Sequence, residues 1–153
     1  MREMVEEIFN DLKFLSKQPL NFQIEIDGPE VVFSDKKRLK TIVKNLASNA
    51  VKYSRTDIDD AYVKFKMWLT IDTIEFQVAD NGRGIPVEQQ QKIFEMFYRY
   101  ANDITGSGLG LFIVKEVLSK IDGKIILDSS ENEGSVFKVT VPISNNQNVN
   151  AGR

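Results

Sequence analysis

The stretch NLASNAVKYS, residues 45–54, combines two patterns on one predicted helix that runs from Asp35 to Tyr53. Apolar residues recur at helical spacing and define a packing face: Leu39, Ile42, Val43, Leu46, Ala47 and Ala50. At 100° per residue, Asn45, Asn49 and Lys52 fall within about 60° of one another, at one edge of that face. Asparagine is a mediocre helix former because its side chain competes for backbone groups. The row is therefore either a solvated border of the helix or a set of oxygen ligands and a cation that face a polyphosphate and its Mg²⁺.

Composition limits the classes of function. With 153 residues, 42% of them apolar and 27% charged, the chain suits one globular domain with its own core. The net charge of −2 gives no basic field, so we expect no nucleic-acid partner. The absence of cysteine excludes disulfides and thiolate metal sites, and the absence of histidine removes the usual general base and transition-metal ligand. No apolar run approaches the roughly 18 residues that span a bilayer, and no signal peptide opens the chain, so we expect a cytoplasmic domain that does not itself insert in a membrane.

Periodicity along the chain predicts an α+β fold. Helices are predicted over residues 1–17, 35–53 and 111–121, the last one closed by Gly123. Period-2 alternation predicts strands in NFQIEID, AYVKFKMWLT, TIEFQVAD, KIILDS and SVFKVTVP, and a short one at Val31–Phe33. The order of these segments indicates helices that cover one face of a mixed, mostly antiparallel sheet.

Two segments lack a strong period. Residues 82–108 carry one short helical piece around Gln89–Tyr98, and we expect residues 86–105 to be a mobile lid. The polar tail SNNQNVNAGR, residues 144–153, is expected to be disordered and to lie outside a domain that covers residues 1–143.

The stretch ADNGRGIP, residues 79–86, places a carboxylate at the end of a strand. Asp80 has the same parity as Ile74, Phe76 and Val78, so it should point toward the apolar side, where a carboxylate needs a partner. It either makes a local Asx turn or accepts a hydrogen bond from an exocyclic amine such as that of adenine. In the second case, the nearby glycines 82 and 84 would let the backbone approach the ring closely.

Glycines at positions 106, 108 and 110 lead directly into the helix of GSGLGLFIVKEV. Unpaired N–H groups and the positive end of the helix dipole would then point at one place, which suits an anion such as phosphate. The glycines follow no strand of a βαβ unit, so a dinucleotide-binding fold does not fit the context.

Between these motifs lies KIFEMFYRY, residues 92–100. Phe94, Met96 and Phe97 are either plain core residues or the anchor of a lid whose conformation depends on ligand. Arg99 is either a solvated surface arginine or a phosphate contact.

Taken together, NLASNAVKYS, DNGRGIP, IFEMFYR and GSGLGLFIVK, in this order, resemble the N, G1, F and G2 boxes of the catalytic ATP-binding domain of bacterial sensor histidine kinases. The resemblance covers roughly residues 1–143 and implies the Bergerat fold, a two-layer α/β sandwich that binds ATP between helices and a mobile lid. It also implies a cytoplasmic place in two-component signal transduction, and it leaves open whether the parent protein is anchored in a membrane.

The resemblance implies roles for individual residues. Asn49 would be the principal Mg²⁺ ligand, Asn45 would lie near the γ-phosphate or the metal, and Arg99 would help the γ-phosphoryl transfer. Lys52 would contact phosphates, Tyr53 would pack on adenine and Asp80 would accept the adenine amine. Catalytic positions are thus Asn45, Lys52 and Arg99, and nucleotide-binding positions are Asn49, Lys52, Tyr53, Asp80, Gly82, Gly84, Ile85, Phe97, Gly106, Gly108, Leu109 and Gly110.

Two features depart from the family. Its phosphoacceptor histidine lies on a separate dimerisation domain, whereas this chain contains no histidine, so we expect an excised or partial chain. The implied partners are ATP, that histidine-bearing domain and, indirectly, a response regulator. The lid over residues 100–105 is also short, so contacts made by longer lids are not assumed.

Three other functions compete with this interpretation. Stand-alone serine kinases and the gyrase, chaperone and mismatch-repair hydrolases share the fold, but they typically place a glutamate, as activating base, where this chain has Asn45. A neutral histidine acceptor is itself nucleophilic and depends less on such a base. A non-catalytic interaction module is disfavoured because every motif position is intact.

Overall fold

Five strands form one sheet in the order β1-β2-β3-β5-β4 in the computed structural model, which describes residues 1–16, 19–29, 34–99 and 106–143. The strands are β1 (Asn21–Asp27), β2 (Tyr62–Leu69), β3 (Thr73–Asp80), β4 (Lys124–Ser130) and β5 (Gly134–Pro142). The helices are α1 (Arg2–Leu15), α2 (Lys36–Lys52) and α3 (Gly110–Ser119). The predicted strand at Val31–Phe33, the segment 100–105 and the tail 144–153 lie outside the described residues.

The sheet is mixed, as predicted. Among the described strands, β1 and β2 pair in parallel around the crossover helix α2, and the other three neighbouring pairs are antiparallel. A two-residue hairpin cannot join parallel strands, which is why a helix separates β1 from β2. The closing hairpin inserts β5 between β3 and β4, so residues far apart in sequence become neighbours in the sheet.

The core lies between this sheet and the three helices. Phe9 of α1 packs on Phe65 of β2, with ring centroids 5.5 Å apart, and Phe65 packs on Phe76 of β3 at 5.7 Å. Helix α2 contacts α1, α3 and the central strands, and its buried residues are those of the predicted face: Leu39, Ile42, Val43, Leu46, Ala47 and Ala50. Burial of this stripe holds α2 in place, because a lone helix of this length is marginally stable in water.

The start of α2 follows the predicted chemistry. Asp35 caps the helix, and its carboxylate accepts a hydrogen bond from the Arg38 N–H at 3.0 Å. At the other end, the Tyr53 N–H donates to the Asn49 carbonyl at 2.9 Å. The helix bounds place Asn45, Asn49 and Lys52 in its C-terminal half.

The segment after β3 differs from the prediction. Instead of one helical piece around Gln89–Tyr98, the chain makes two short 3₁₀ turns, Val87–Gln89 and Lys92–Phe94. Such turns have poor hydrogen-bond geometry and rarely extend. The chain therefore leaves helical geometry at Glu95, so Phe94 packs against the core while Met96 and Phe97 are largely exposed.

No helix among the described residues is both long enough and apolar enough to cross a bilayer.

Candidate functional site

The polar row of α2 meets the start of α3. A methyl group added at Gly110 would lie 3.1 Å from Asn45 Oδ1 and 3.8 Å from Asn49 Oδ1. One added at Gly106 would overlap Lys52 Nζ. The two motifs therefore face each other across a space that a side chain at either glycine would fill. We call these five residues the amide end of the site.

The two amides of this row are held differently. Asn45 Nδ2 donates to the Thr41 carbonyl at 2.8 Å, which turns its Oδ1 toward Gly110. The Asn49 side chain has no hydrogen-bond partner within the described part of the chain. Its amide oxygen is thus available as a hard ligand, the donor type that Mg²⁺ prefers.

Lys52 and Tyr53 stand between the amides and an apolar cavity. Lys52 Nζ lies 5.0 Å from the centroid of the Tyr53 ring, within the range of a cation–π contact. Tyr53 lines the cavity, whereas the ammonium group of Lys52 lies next to Gly106.

At the opposite end of the site lies a buried carboxylate. Asp80 is 7% exposed, and its Oδ1 accepts the Gly82 N–H at 2.9 Å. Burial raises the pKa of the Asp80 carboxyl to about 6, while hydrogen bonds from the backbone N–H groups of Gly82 and Ser135 act in the lowering direction. The parity argument correctly predicted that Asp80 points inward, and the Gly82 bond also realises the Asx-type turn. The two alternatives for Asp80 are compatible with each other, because the Gly82 bond uses only one of the two carboxylate oxygens.

The loop after Asp80 is packed tightly against the β4–β5 hairpin. Gly84 has φ +65°, and a methyl group there would overlap the Ser130 carbonyl, so only glycine fits this approach. Gly82 is buried against the Tyr53 carbonyl, where an added methyl group would lie 2.5 Å away. We call Asp80, Gly82, Gly84, Ile85 and Ser135 the carboxylate end.

A cavity extends from the carboxylate end to Asn49 of the amide end. It contains about 650 Å³ of atom-free space, which includes open solvent, and about 70 Å³ of it can hold the centre of a water-sized sphere. Its lining is mostly apolar with a few polar groups: Asn49, Ala50, Tyr53, Asp80, Arg83, Gly84, Ile85, Ile93, Tyr98, Leu111, Ser135 and Phe137. An apolar slot with one carboxylate at its base suits a flat heteroaromatic ring that carries an amine.

Nine predicted site residues are absent from this lining: five belong to the amide or carboxylate end, and four, Phe97, Arg99, Gly108 and Leu109, belong to neither. Leu109 is half-buried at the N-terminus of α3, and its carbonyl accepts the Ile113 N–H at 2.9 Å. Gly108 lies against the Phe97 backbone, and the Phe97 side chain is 65% exposed with a φ of 63°. Phe97 is thus not a wall of the cavity here, because the chain turns at this position and presents the next residue instead. Arg99 is exposed and directly precedes the undescribed segment 100–105, so its role stays a prediction.

Sequence reasoning gave no site role to seven residues that line the cavity, and Ser135 and Tyr98 are the two polar ones beside Arg83. Ser135 lies opposite Asp80 in the β3–β5 register, a placement that depends on a strand pairing invisible in local patterns. Tyr98 takes the place expected for Phe97, and its hydroxyl donates to Gln89 Oε1. The alternation of Ser135, Phe137, Val139 and Val141 was a usable signal, since it places Ser135 on the buried face of β5.

The residues present fit an adenine nucleotide with Mg²⁺. The carboxylate end offers an acceptor beside a glycine loop in an apolar slot, and the amide end offers two oxygens, a cation and a glycine-lined helix start. Asn49 of the amide end lines the same cavity as Asp80, so a base at the carboxylate end and phosphates at the amide end fit this arrangement.

Comparison with known proteins agrees with this chemistry. Residues 34–145 match the model of a family described as histidine kinase-, DNA gyrase B-, and HSP90-like ATPase. The chain is 36% identical over 132 residues to the adaptive-response sensory kinase SasA of Prochlorococcus marinus. It is 32% identical over 127 residues to the sensor protein RprX of Bacteroides fragilis. These alignments cover 84% and 80% of this chain but only 34% and 24% of the two relatives.

Solved structures show the same fold. A mycobacterial sensor histidine kinase, MprB, superposes with a TM-score of 0.77 at 26% identity and 93% coverage of both chains. The catalytic domain of the histidine kinase ThkA gives a TM-score of 0.75 at 26% identity, over 94% of this chain and 92% of that one. The predicted two-layer α/β sandwich is confirmed. Because the family model covers most of the chain, the chain belongs to the histidine kinase-, DNA gyrase B- and HSP90-like ATPases, as a catalytic ATP-binding domain of the sensor histidine kinase type.

Proposed function

We propose that the chain binds ATP with Mg²⁺ and transfers the γ-phosphoryl group to a histidine on a separate dimerisation domain, which then serves a response regulator in two-component signalling. The observation that carries the proposal is the meeting of the α2 amides with the glycine-rich start of α3, at one end of a cavity whose other end is Asp80. We assign this activity to residues 1–143. We also propose that the domain lies in the cytoplasm, where ATP is supplied.

The carboxylate end recognises the base in this proposal. Asp80 accepts the exocyclic amine of adenine, while Tyr53 and Ile85 provide apolar walls for the ring. A buried acceptor rejects a base that presents a carbonyl at that position, because two acceptors would then face each other without a proton. Adenine is therefore preferred over guanine.

The amide end handles the phosphates. Asn49 and Asn45 are the oxygen donors that would hold Mg²⁺, which would neutralise charge on the phosphates. Lys52 supplies a protein cation next to Gly106, and the backbone N–H groups at the start of α3 supply further donors. Phosphoryl transfer depends mainly on positioning and charge neutralisation, and these residues provide both. We also propose that Arg99 contacts the phosphates and helps the γ-phosphoryl transfer.

The acceptor must come from outside this chain, since the chain contains no histidine. Met96, Phe97 and Ile113 are exposed to 51%, 65% and 36%, close to Gly108 and the start of α3. Exposed apolar residues beside a transfer site suit the docking of a helical domain that brings its histidine to the phosphates. Asn45 is not a base, so water is poorly activated and the phosphoryl group is kept for the acceptor.

A phosphotransfer assay tests the proposal. The chain alone, given ATP and Mg²⁺, should bind nucleotide without labelling itself and should hydrolyse it very slowly. Addition of the parent's histidine-bearing helical domain should yield an acid-labile phosphohistidine on that domain. The matched control is the same domain with its histidine replaced by alanine.

Other outcomes would contradict the proposal in distinct ways. Acid-stable phosphate on a serine of a partner would favour a serine kinase, and brisk hydrolysis by the chain alone would favour the hydrolase relatives. Absence of any ATP binding would leave only a non-catalytic module.

A further inference from the structure

We propose that Gln90 is a positioning residue that clamps the nucleotide loop, residues 82–86, to the end of β4 and so keeps the carboxylate end of the cavity in its binding shape. The proposal rests on the adenine site described above and adds to it a residue outside the four sequence motifs. Its basis is a hydrogen-bond network that converges on Ile85, a residue of the cavity wall.

Gln90 uses both N–H bonds of its side-chain amide. Nε2 donates to the Ile85 carbonyl at 3.0 Å and to the Ser129 carbonyl at 2.9 Å. A primary amide nitrogen has two hydrogens, so its donor capacity is filled by these two acceptors. The first acceptor belongs to the nucleotide loop and the second to β4, so one side chain joins the two segments.

Ser129 completes the clamp from the opposite side. Its Oγ accepts the Ile85 N–H at 2.9 Å, so both backbone polar groups of Ile85 are held. The same Oγ donates to the Gly134 carbonyl at 2.8 Å and lies 2.9 Å from Ser135 Oγ. With its one hydrogen directed to Gly134, Ser129 accepts the Ser135 hydroxyl hydrogen, which leaves Ser135 Oγ with lone pairs next to the cavity.

This network reaches Asp80 along two routes. The loop that Gln90 holds also carries the Gly82 N–H, which donates to Asp80 Oδ1 at 2.9 Å. Ser135, at the other end of the network, donates its backbone N–H to the Asp80 carboxylate. Displacement of the loop from β4 would therefore disturb the Gly82 N–H, a backbone donor that orients the acceptor for the base.

Gln90 also links this end to the segment that precedes residues 100–105. It directly follows the first 3₁₀ turn, and its backbone N–H donates to the Val87 carbonyl at 3.3 Å. Movement of that turn would be transmitted to Ile85 through the hydrogen bond from the Gln90 side chain. The clamp thus connects the turn Val87–Gln89 with the base pocket.

Three substitutions in the 153-residue chain separate hydrogen bonding from space filling. Gln90→Met keeps length and volume but removes both donors, Gln90→Glu replaces the donors with oxygens that face two carbonyls, and Gln90→Lys keeps N–H donors. Gln91→Met and Gln91→Glu are matched controls, because Gln91 is exposed and makes no capping hydrogen bond. Affinities for adenosine and ADP are measured by titration calorimetry, and exchange of the Ile85 amide by NMR without nucleotide.

We expect Gln90→Met to weaken adenosine and ADP equally, by about three- to tenfold, and Gln90→Glu to weaken both by more than about tenfold. Gln90→Lys and both Gln91 variants should stay within about twofold of the unaltered chain, within the usual range for surface changes. The Ile85 amide should exchange at least about tenfold faster in Gln90→Met, while the Leu46 amide in the centre of α2 stays unchanged.

Equal affinity and exchange in Gln90→Met and the unaltered chain would overturn the clamp, as would a loss in Gln90→Lys as large as that in Gln90→Met. If the unaltered chain bound neither adenosine nor ADP, the proposed function would fail, yet the exchange of Ile85 would still decide whether Gln90 holds the loop.

Discussion

The carboxylate end of the site is formed mainly by backbone groups, whereas the amide end is formed mainly by side chains. At the carboxylate end, two backbone N–H groups orient Asp80. The loop fits against the Ser130 carbonyl because Gly84 has no side chain. At the amide end, side chains of α2 face the backbone at the start of α3, and the Asn49 side chain has no hydrogen-bond partner within the described residues. One end is pre-formed, whereas the other offers unsatisfied ligands.

This difference suits the two halves of a nucleotide. A base is rigid and neutral, so a pre-formed slot recognises it at little entropic cost. Phosphates are negatively charged, and their Mg²⁺ requires oxygen ligands. The amide oxygens of α2 can bind the Mg²⁺, and the backbone N–H groups at the start of α3 can bind the phosphates. The two ends should therefore respond separately to mutation, and each prediction below tests that separation.

The largest effect is expected for Asn49→Ala. Histidine phosphorylation in trans should fall by about 100-fold or more, because the Mg²⁺ site loses an oxygen ligand. Bound Mg²⁺ contributes several kcal/mol of charge stabilisation to the transition state. Adenosine, which has no phosphates, should bind as before. Asn10→Ala, on the exposed side of α1, is the matched control. A parallel loss of adenosine affinity would show that the two ends are not separable.

Asp80→Asn should reduce the affinities for adenosine, ADP and ATP together by about 10- to 100-fold, the usual cost of an unmade buried hydrogen bond. Calorimetric titration of all three ligands measures this, with Asp128→Asn on the exposed side of β4 as the control. If GTP bound as well as ATP, or adenosine binding survived the change, the assignment of the base to this end would be wrong.

The affinity for adenosine should depend on pH through Asp80. Its pKa is raised to about 6, so the ionised acceptor is depleted as the pH falls, and the affinity should decrease about tenfold between pH 7 and pH 5. Stability should change in the opposite direction. Because the pKa is higher in the folded than in the unfolded chain, the stabilisation from this carboxyl is present below about pH 4 and is lost as the pH rises through about 6.

Both trends are measured against Asp80→Asn, which removes this carboxyl and leaves the other titrating groups in place. Adenosine affinity that followed the same pH curve in Asp80→Asn would assign the dependence to another group.

The smallest effect concerns the segment 86–105. Trypsin should cut after the exposed residues Lys92 and Arg99, and ATP with Mg²⁺ should slow these cuts about two- to fivefold because ordering of the lid lowers the open population. Adenosine should protect less, since it reaches only the carboxylate end. Cleavage after Lys13 in α1 serves as the internal reference. Equal cutting with and without ATP would remove the lid.

Local patterns predicted much of this molecule. The strand NFQIEID coincides with β1, the buried face of α2 contains the six expected residues, and the parity of Asp80 correctly placed its carboxylate inside. These predictions succeeded because helical and strand periods report which side of an element is buried, and that information is local.

Predictions failed where local preference was weak. The segment around Gln89–Tyr98 contains three consecutive glutamines and no strong period, and it forms 3₁₀ turns instead of one helix. Because the helical phase ends at Phe94, Tyr98 lines the cavity instead of Phe97. A shift of one residue in an irregular segment thus changed the predicted contact.

Local patterns were sufficient to predict the three α-helices, the five strands of the sheet, the inward direction of Asp80 and the motifs that resemble a histidine kinase ATP-binding domain. Only the tertiary structure decided that β5 inserts next to β3, which brings Ser135 opposite Asp80 and lets Gln90 and Ser129 grip Ile85 from both sides. The physical reason is range. Periodicity follows from backbone geometry within a few residues, whereas strand order and side-chain bridges depend on which distant segments bury the most apolar surface together.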